Sequence, residues 1–258
     1  LMKKKLTLVS VQRCIETVTL GQRRQMTRMT DSFLAHSDYL YISMHLFIGE
    51  ESTAAGSTCL LTDDPTWIID PIDGTCNFVH RFPTVAVSIG FAVNQEFGVI
   101  YHCTEEKMYT GRRGHGAFCN QERLQVTKQT DIRNALIVTE IGPKRDPATL
   151  KLFLNGMSEE YLLIGSLITH RVRVIGSATL ALCHIAAGTA DAFYQYGLHC
   201  WDLAAATVII REAGGVVIDT TGGPLDLMSC RVVAAGTMEL AQSIAHELQT
   251  IDYGRDDS

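Results

Sequence analysis

The chain has 258 residues, of which 46% are hydrophobic and 19% are charged, and its formal net charge is −6. This composition excludes a disordered polymer and is sufficient for a sizeable core. The negative charge, with no long run of Lys or Arg, argues against nucleic acid as the main partner. We also expect no membrane partner, because no apolar segment approaches the ~20 residues that cross a bilayer.

The cysteines and the first residues bear on the compartment. The eight cysteines include no CxxC pair, so we interpret them as reduced thiols rather than as a disulfide framework or a zinc site. The apolar stretch that follows the three lysines near the start is broken by polar residues, which does not indicate a secretory signal. We therefore expect a cytoplasmic protein.

The predicted elements become regular only from residue 47 onward. Residues 1–46 follow neither the helical nor the strand period for long, and a helix over 14–25 would have a thin apolar face. Short apolar and β-branched runs then predict an antiparallel meander, with strands at 66–69, 85–93, 97–103, 107–112 and 117–119.

The second half of the chain alternates strands with helices. Strands are predicted at 135–139, 172–175, 191–196, 216–219 and 232–235, and helices at 147–157, 178–187, 202–213 and 238–249. With no repeat or low-complexity linker, we expect one domain over 1–258, with a divergent N-terminal segment at 1–46. The predicted class is α/β or α+β, with layered sheets and helices.

The segment WIIDPIDGT carries the most informative pattern. Asp70 and Asp73 lie three residues apart at the end of an apolar run, and Pro71 between them predicts a turn that brings both carboxylates to one point. Like charges at close range repel, and their burial costs several kcal/mol, so the pair favours a bound cation. Taken alone, the same short pattern is also typical of an ordinary turn.

Two further acidic positions belong to the same hypothesis. Glu50 lies beside Glu51, and taken alone the pair is typical of a solvated loop; Asp202 opens an apolar helix and on its own could be an N-cap. Together, Asp70, Asp73 and Asp202 could bind one Mg²⁺, with Glu50 and Asp70 sharing another. Hard oxygen ligands suit Mg²⁺, and two such ions would clamp a phosphoryl group.

Small residues and hydroxyls complete the predicted site. Gly74 and Thr75 would present backbone N–H groups to a phosphate, and the Thr75 hydroxyl could orient an attacking water. Gly176, Ser177 and Ala178 form a small-residue turn before a helix, which could receive a hydroxyl-bearing substrate. The alternative for Ser177 is a simple helix cap.

Two long motifs, WIIDPIDGTCNFVHRFP and WDLAAATVIIREAGG, resemble signatures of the inositol monophosphatase family, and GEES is similar to its upstream metal-ligand segment. The resemblance runs from about residue 47 to 257. It implies a layered αβαβα sandwich, a homodimer, two or three Mg²⁺ ions and sensitivity to Li⁺. It also implies hydrolysis of myo-inositol monophosphates by in-line attack of a metal-activated water, feeding phosphatidylinositol signalling.

The resemblance also implies residue roles. Glu50, Asp70 and the carbonyl of Ile72 would hold the first metal, and Asp70, Asp73 and Asp202 the second. Glu50 and Thr75 would help to activate water. The implied substrate-binding residues are Asp70, Ile72, Asp73, Gly74, Thr75, Gly176, Ser177, Ala178, Gln195 and Asp202.

Three departures from the family pattern leave alternatives open. The family's DLVTxTD segment is not intact, and its best counterpart ends at Asp31. Gln195 stands where many members carry a glutamate, which predicts a broader substrate preference. The loops at 94–97 and 158–169 also match poorly. The alternatives are a catalytically impaired paralogue that acts through dimerisation, and a related lithium-sensitive phosphatase for a sugar bisphosphate or 3′-phosphonucleotide.

Overall fold

The structure is a computed structural model that describes residues 46–57, 59–92, 97–140, 171–248 and 254–257. Several sequence predictions lie outside these residues. They are the irregular segment up to residue 45 with Asp31, the helices at 14–25 and 147–157, and most of the loops at 94–97 and 158–169. Among the described helices, none combines the length and the apolar character that a membrane span requires.

Among the described residues, the first sheet has seven strands in sequence order. β1 pairs in parallel with β2, and every later pair is antiparallel, so the predicted meander is confirmed. The strands are β1 (Leu46–Gly49), β2 (Thr66–Asp73), β3 (Ala86–Ala92), β4 (Phe97–His102), β5 (Lys107–Arg112), β6 (Gly116–Cys119) and β7 (Glu122–Arg123).

In the part of the chain that the structure describes, the second sheet has five strands in the order β11-β12-β10-β8-β9. β8 pairs in parallel with β9 and with β10, whereas β12 runs antiparallel to both of its neighbours. The strands are β8 (Ile137–Thr139), β9 (Val172–Arg173), β10 (Ala192–Tyr196), β11 (Val216–Ile218) and β12 (Arg231–Ala235).

Two helices lie between the sheets and a third covers the second sheet. α4 packs on β3, β4 and β5 of the first sheet, and α3 packs on α4 and on β10 of the second. α5 lies against β11 and β12. The helices are α1 (Glu50–Ala54), α2 (Thr75–His80), α3 (Ala178–Ala186), α4 (Cys200–Glu212) and α5 (Met238–Glu247). The described residues form an α/β sandwich, as predicted, in which two sheets enclose α3 and α4, and α5 covers the second sheet.

A row of three glycines lies beneath α4. Gly90, Gly98 and Gly111 are directly paired across β3, β4 and β5. A Cβ at Gly90 would come within 2.8 Å of the Ala204 side chain, and one at Gly111 would lie 2.7 Å from Ile209 Cα. α4 therefore rests directly on strand backbone, which fixes its height above the sheet.

Candidate active site

Asp70 and Asp73 lie on one strand, β2, which continues through Pro71. The predicted turn at Pro71 is therefore wrong. Between Asp70 and Asp73 the pairing register shifts, because β3 advances only from Ser88 to Ala86 over the same interval. The extra residue forms a bulge, where a proline is tolerated because no ladder hydrogen bond is needed.

The bulge buries both carboxylates. Asp70 is 2% exposed and Asp73 is 8% exposed. The backbone N–H of Ile72 donates to Asp70 Oδ1 at 2.9 Å, which holds the first carboxylate against its own strand. Asp70 is thus held by the backbone of its own strand.

The N-terminus of α3 holds Asp73. Ser177 Oγ, the Thr179 hydroxyl and the Thr179 backbone N–H, the last at 2.9 Å, all donate to Asp73 Oδ2. Ser177 also accepts from Leu180 N at 3.3 Å, so the predicted helix cap is present as well. No described residue makes a hydrogen bond to Asp73 Oδ1, which leaves that oxygen available to a ligand.

Asp202 arrives from the N-terminus of α4. The helix begins at Cys200, with His199 as N-cap, two residues before the predicted start. Asp202 is not the N-cap that its position suggested. It lies in the first turn, and its Oδ2 accepts from His199 N at 2.8 Å, which satisfies one of the free amides at the helix start.

The three carboxylates converge. One oxygen from each of Asp70, Asp73 and Asp202 lies within 4.8 Å of the other two. Burial, and then the charges of Asp73, Asp202 and Glu50, raise the pKa of Asp70 well above its usual range. Burial and the charge of Asp73 raise the pKa of Asp202 to about 7. No Lys or Arg in the described part of the chain pairs with these groups, so the cluster favours a cation.

Glu50 approaches the cluster from the neighbouring strand. It is the first residue of α1, directly after β1, and β1 runs parallel to β2 with Gly49 opposite Ile69. Parallel neighbours end at the same edge of a sheet. Glu50 is half-buried whereas Glu51 is exposed, and the charge of Glu50 contributes to the raised pKa of both Asp70 and Asp202.

The glycine after Asp73 brings the two small-residue turns together. Gly74 has a φ of +82°, and a Cβ there would lie 2.7 Å from Thr84 O and 3.1 Å from Gly176 O. Only glycine fits this position. Thr75 Oγ1 donates to the carbonyl of Ile72 at 3.1 Å, which connects two of the predicted site residues directly.

Gln195 lies in β10, opposite Val232. It is 5% exposed, and its Oε1 makes no hydrogen bond to any described residue. Buried amide oxygens normally have a partner, so this oxygen is open to a donor. Ala178 is the first residue of α3 and is buried.

A second cluster supports the start of α4 and was missed by the sequence analysis. Asp256 Oδ1 lies 2.6 Å from His199 Nδ1 and 3.5 Å from Cys230 Sγ, and Oδ2 accepts from Cys200 N at 2.8 Å. The hydrogen bond to Asp256 raises the pKa of His199. Among the described residues, this carboxylate thus has hydrogen-bond partners at His199, Cys200 and Cys230. The residues are too far apart along the chain to form a recognisable local pattern.

Comparisons with known proteins agree with this geometry. A model of the inositol monophosphatase family matches residues 27–253. The chain is 74% identical to inositol monophosphatase 2 of Homo sapiens over 215 residues, which cover 83% of this chain and 73% of that protein. It is 57% identical to inositol monophosphatase 1 of Homo sapiens over 215 residues, or 83% of this chain and 76% of that protein.

Solved structures give the same result. The inositol monophosphatase of Anabaena (Nostoc) sp. PCC 7120 superposes with a TM-score of 0.67 at 28% identity, covering 81% of this chain and 79% of that one. The IMPase of Thermotoga maritima superposes with a TM-score of 0.66 at 26% identity, covering 87% of this chain and 80% of that one. From its site geometry, its fold and its sequence, this chain belongs to the inositol monophosphatase family.

Proposed function

We propose that this chain is a Mg²⁺-dependent phosphatase that hydrolyses myo-inositol monophosphates to inositol and inorganic phosphate. The observation that carries the proposal is the convergence of Asp70, Asp73 and Asp202, three buried carboxylates within 4.8 Å of one another. The similarity to inositol monophosphatases 1 and 2 supports the substrate class.

The donor set fits Mg²⁺. All the converging groups are oxygens, which hard divalent cations prefer, and their negative charges are otherwise unbalanced in the described residues. Asp70, Asp73 and Asp202 would hold one ion, and Glu50, Asp70 and the carbonyl of Ile72 another, with two or three ions in all. Bound Mg²⁺ supplies neutralisation of the phosphoryl charge and a lowered pKa for a water molecule.

The residues around the carboxylates would bind and orient the reactants. We infer that Glu50 accepts the proton of the attacking water, because it is the half-buried carboxylate at the edge of the cluster. Thr75, whose Oγ1 lies 3.1 Å from the Ile72 carbonyl, would orient that water. The N–H groups of Gly74 and Thr75 would bind phosphate oxygens, since Gly74 has no side chain to block their approach.

The turn at 176–178 would face the inositol ring, together with Asp202. Gly176 and Gly74 approach each other closely, so a ring bound beside the phosphate would contact small residues and backbone rather than bulky side chains. Gln195 Oε1, which has no described partner, would accept a hydrogen bond from a ring hydroxyl.

We also propose several properties that rest on the family resemblance. These are inhibition by Li⁺, assembly as a homodimer, a cytoplasmic location and a role in phosphatidylinositol signalling. We also propose that residues 1–258 form a single domain, which includes the irregular segment 1–46. Li⁺ inhibition is tested by titration at fixed Mg²⁺, and the homodimer by light scattering.

The direct test is phosphate release from inositol 1-phosphate across a Mg²⁺ titration. We expect activity that depends on Mg²⁺ and a loss of about 100-fold or more in Asp70→Asn and Asp202→Asn. Asp63→Asn, at an exposed aspartate, is the matched control and should retain activity. Full activity in either active-site variant, or faster turnover of a 3′-phosphonucleotide, would contradict the proposal.

A further inference from the structure

Glu140 binds the turn that precedes α3. It follows directly after β8, and its Oε1 accepts from the backbone N–H groups of both Ile175 and Gly176, each at 2.8 Å. Burial raises the pKa of Glu140, which these two hydrogen bonds oppose. No Lys or Arg in the described part of the chain pairs with this carboxylate, so its described partners are backbone amides.

The opposite side of the same turn is held by Asn77. Asn77 Nδ2 donates to Ile175 O at 2.9 Å and to Gly176 O at 3.1 Å, and it also reaches Thr84 O at 2.9 Å. Gly176 has a φ of +78°, and a Cβ there would lie 2.7 Å from the Asn77 amide. The N–H groups and the carbonyls of the turn are therefore each bound by a side chain from a different element.

The residues that follow this turn orient Asp73. Ser177 and Thr179 supply the three hydrogen bonds to Asp73 Oδ2. A shift of the turn would move these donors and, with them, the Asp73 carboxylate, which lies close to Asp70 and Asp202. Glu140 is thus connected to the candidate metal site through backbone, without itself belonging to the converging group.

We propose that Glu140 is a positioning residue for this site. It fixes the 175–177 turn by accepting two backbone hydrogen bonds, and thereby sets the orientation of Asp73 and the surface that receives the substrate. This inference rests on the proposed function, because the site that Glu140 positions is the proposed catalytic site. Its test does not depend on that function, because ion binding can be measured without turnover. The role needs a hydrogen-bond acceptor at the correct distance and does not need a negative charge.

Two conservative variants separate these requirements. Glu140→Gln keeps the length of the side chain, and because both amides bond the same oxygen, its amide oxygen can accept both. Glu140→Asp keeps the charge but is shorter by one methylene and cannot reach the turn in the same way. If the position of the acceptor oxygen determines the role, Glu140→Gln should be tolerated and Glu140→Asp should not. If the negative charge determines it, Glu140→Asp should be tolerated and Glu140→Gln should not.

Glu212 provides a matched control. Its carboxylate also accepts from two backbone amides, Gly114 N at 2.8 Å and Gly116 N at 2.7 Å. It lies at the far end of α4, about 15 Å along the helix from Asp202, given a rise of about 1.5 Å per residue. Glu212→Asp removes comparable hydrogen bonds at a place unconnected to Asp73.

The experiment measures binding of Mn²⁺, used as a paramagnetic probe of the metal site, by water-proton relaxation, together with kcat and KM for inositol 1-phosphate. We expect Glu140→Asp to weaken Mn²⁺ binding about 10-fold, and Glu140→Gln and Glu212→Asp to change it less than about 3-fold. Weaker binding in Glu140→Gln than in Glu140→Asp, or equal weakening in Glu212→Asp, would overturn the proposal. So would unchanged binding in Glu140→Asp.

Failure of the proposed function gives a different result. If the protein binds Mn²⁺ with this order of variants but releases no phosphate from inositol 1-phosphate, the positioning role stands and the substrate assignment fails. If phosphate is released but Glu140→Asp binds Mn²⁺ and turns over substrate like the unmodified protein, the substrate assignment stands and the positioning role fails.

Discussion

The carboxylate of Asp256 accepts a hydrogen bond of 2.8 Å from the backbone N–H of Cys200, although 56 residues separate them. Cys200 is the first residue of α4, so a buried negative charge lies at the positive end of that helix. The same carboxylate contacts His199 Nδ1 at 2.6 Å, and Asp256 N donates to Met228 O at 3.1 Å. Asp256, near the C-terminal end of the described chain, therefore stabilises the start of α4, where Asp202 lies.

Asp256→Asn should destabilise the protein by about 1–3 kcal/mol, because it removes a charged acceptor from buried donors. Asp257→Asn is the neighbouring control, since Asp257 pairs only with the exposed Arg255 among the described residues and should have little effect. Urea unfolding in EDTA measures both variants. Equal free energies of unfolding for the two would refute the role of Asp256.

The contribution of Asp202 to the stability of the metal-free protein should fall as pH rises from about 4 to about 7. The pKa of Asp202 is about 7 in the folded protein and ~3.9 in an unfolded chain. The folded state therefore binds more protons in this interval, and the contribution of Asp202 declines by up to about 1.4 kcal/mol per pH unit.

The check is urea unfolding in EDTA at several pH values, compared between the unmodified protein and Asp202→Asn. The comparison matters because desolvation lowers the pKa of His102, which is buried, and of His184, and a lowered histidine pKa changes stability with pH in the opposite direction. We expect Asp202→Asn to lose less stability with rising pH. An identical slope in both proteins would contradict the raised pKa.

Mg²⁺ should raise the unfolding midpoint of the unmodified protein and leave Asp70→Asn nearly unchanged. A ligand that binds only the folded state adds about 1.4 kcal/mol for each tenfold increase in concentration above its Kd. Without Mg²⁺, Asp70→Asn should be at least as stable as the unmodified protein, because it removes repulsion between buried charges. Thermal melts with and without Mg²⁺ measure both effects, and an equal Mg²⁺ shift in the variant would count against Asp70 as a ligand.

Thr179→Val should weaken Mg²⁺ binding, whereas Thr179→Ser should largely preserve it. Thr179 is 0% exposed, and its hydroxyl is one of three donors to Asp73 Oδ2. Val has nearly the same shape but no donor, and a hydrogen bond to a charged group contributes about 1.5–3 kcal/mol. Calorimetric Mg²⁺ titration distinguishes the variants; equal affinities would show that this hydroxyl does not orient Asp73.

Gly98→Ala should destabilise the protein by about 1–3 kcal/mol or more, because its Cβ would overlap the backbone of Ala205 in α4. Gly223→Ala is the control, since a Cβ there would lie 3.6 Å from Thr221 Oγ1, an ordinary contact. Denaturant unfolding compares the two variants. A Gly98→Ala protein as stable as Gly223→Ala would show that α4 can move away from the sheet without cost.

Much of the described fold could be predicted because its elements have local signals. The strand at 107–112 and the start of α3 were predicted at the observed residues, and the structure also has the helix cap that was the alternative for Ser177. The short strands β1 and β7 were missed, since two to four residues carry too little periodicity.

The errors occur where a distant residue decides the local structure. Pro71 normally ends a strand, but β3 continues to pair with β2 beyond it, and a bulge accommodates the proline. At the start of α4 the amide of Cys200 binds the distant Asp256, which no local pattern can reveal, in addition to the local hydrogen bond between His199 N and Asp202. Glu140 had no distinguishing sequence context, since its partners lie 35 and 36 residues away.

The glycine row under α4 has a consequence for the acidic cluster at the end of that helix. Gly90, Gly98 and Gly111 set the depth at which α4 lies, and Asp202 moves with it. A methyl group at any of the three would push α4 away from the sheet and would increase the distance from Asp202 to Asp70 and Asp73 on β2. The spacing of the acidic cluster is therefore set partly at three positions that have no side chain and lie outside the cluster.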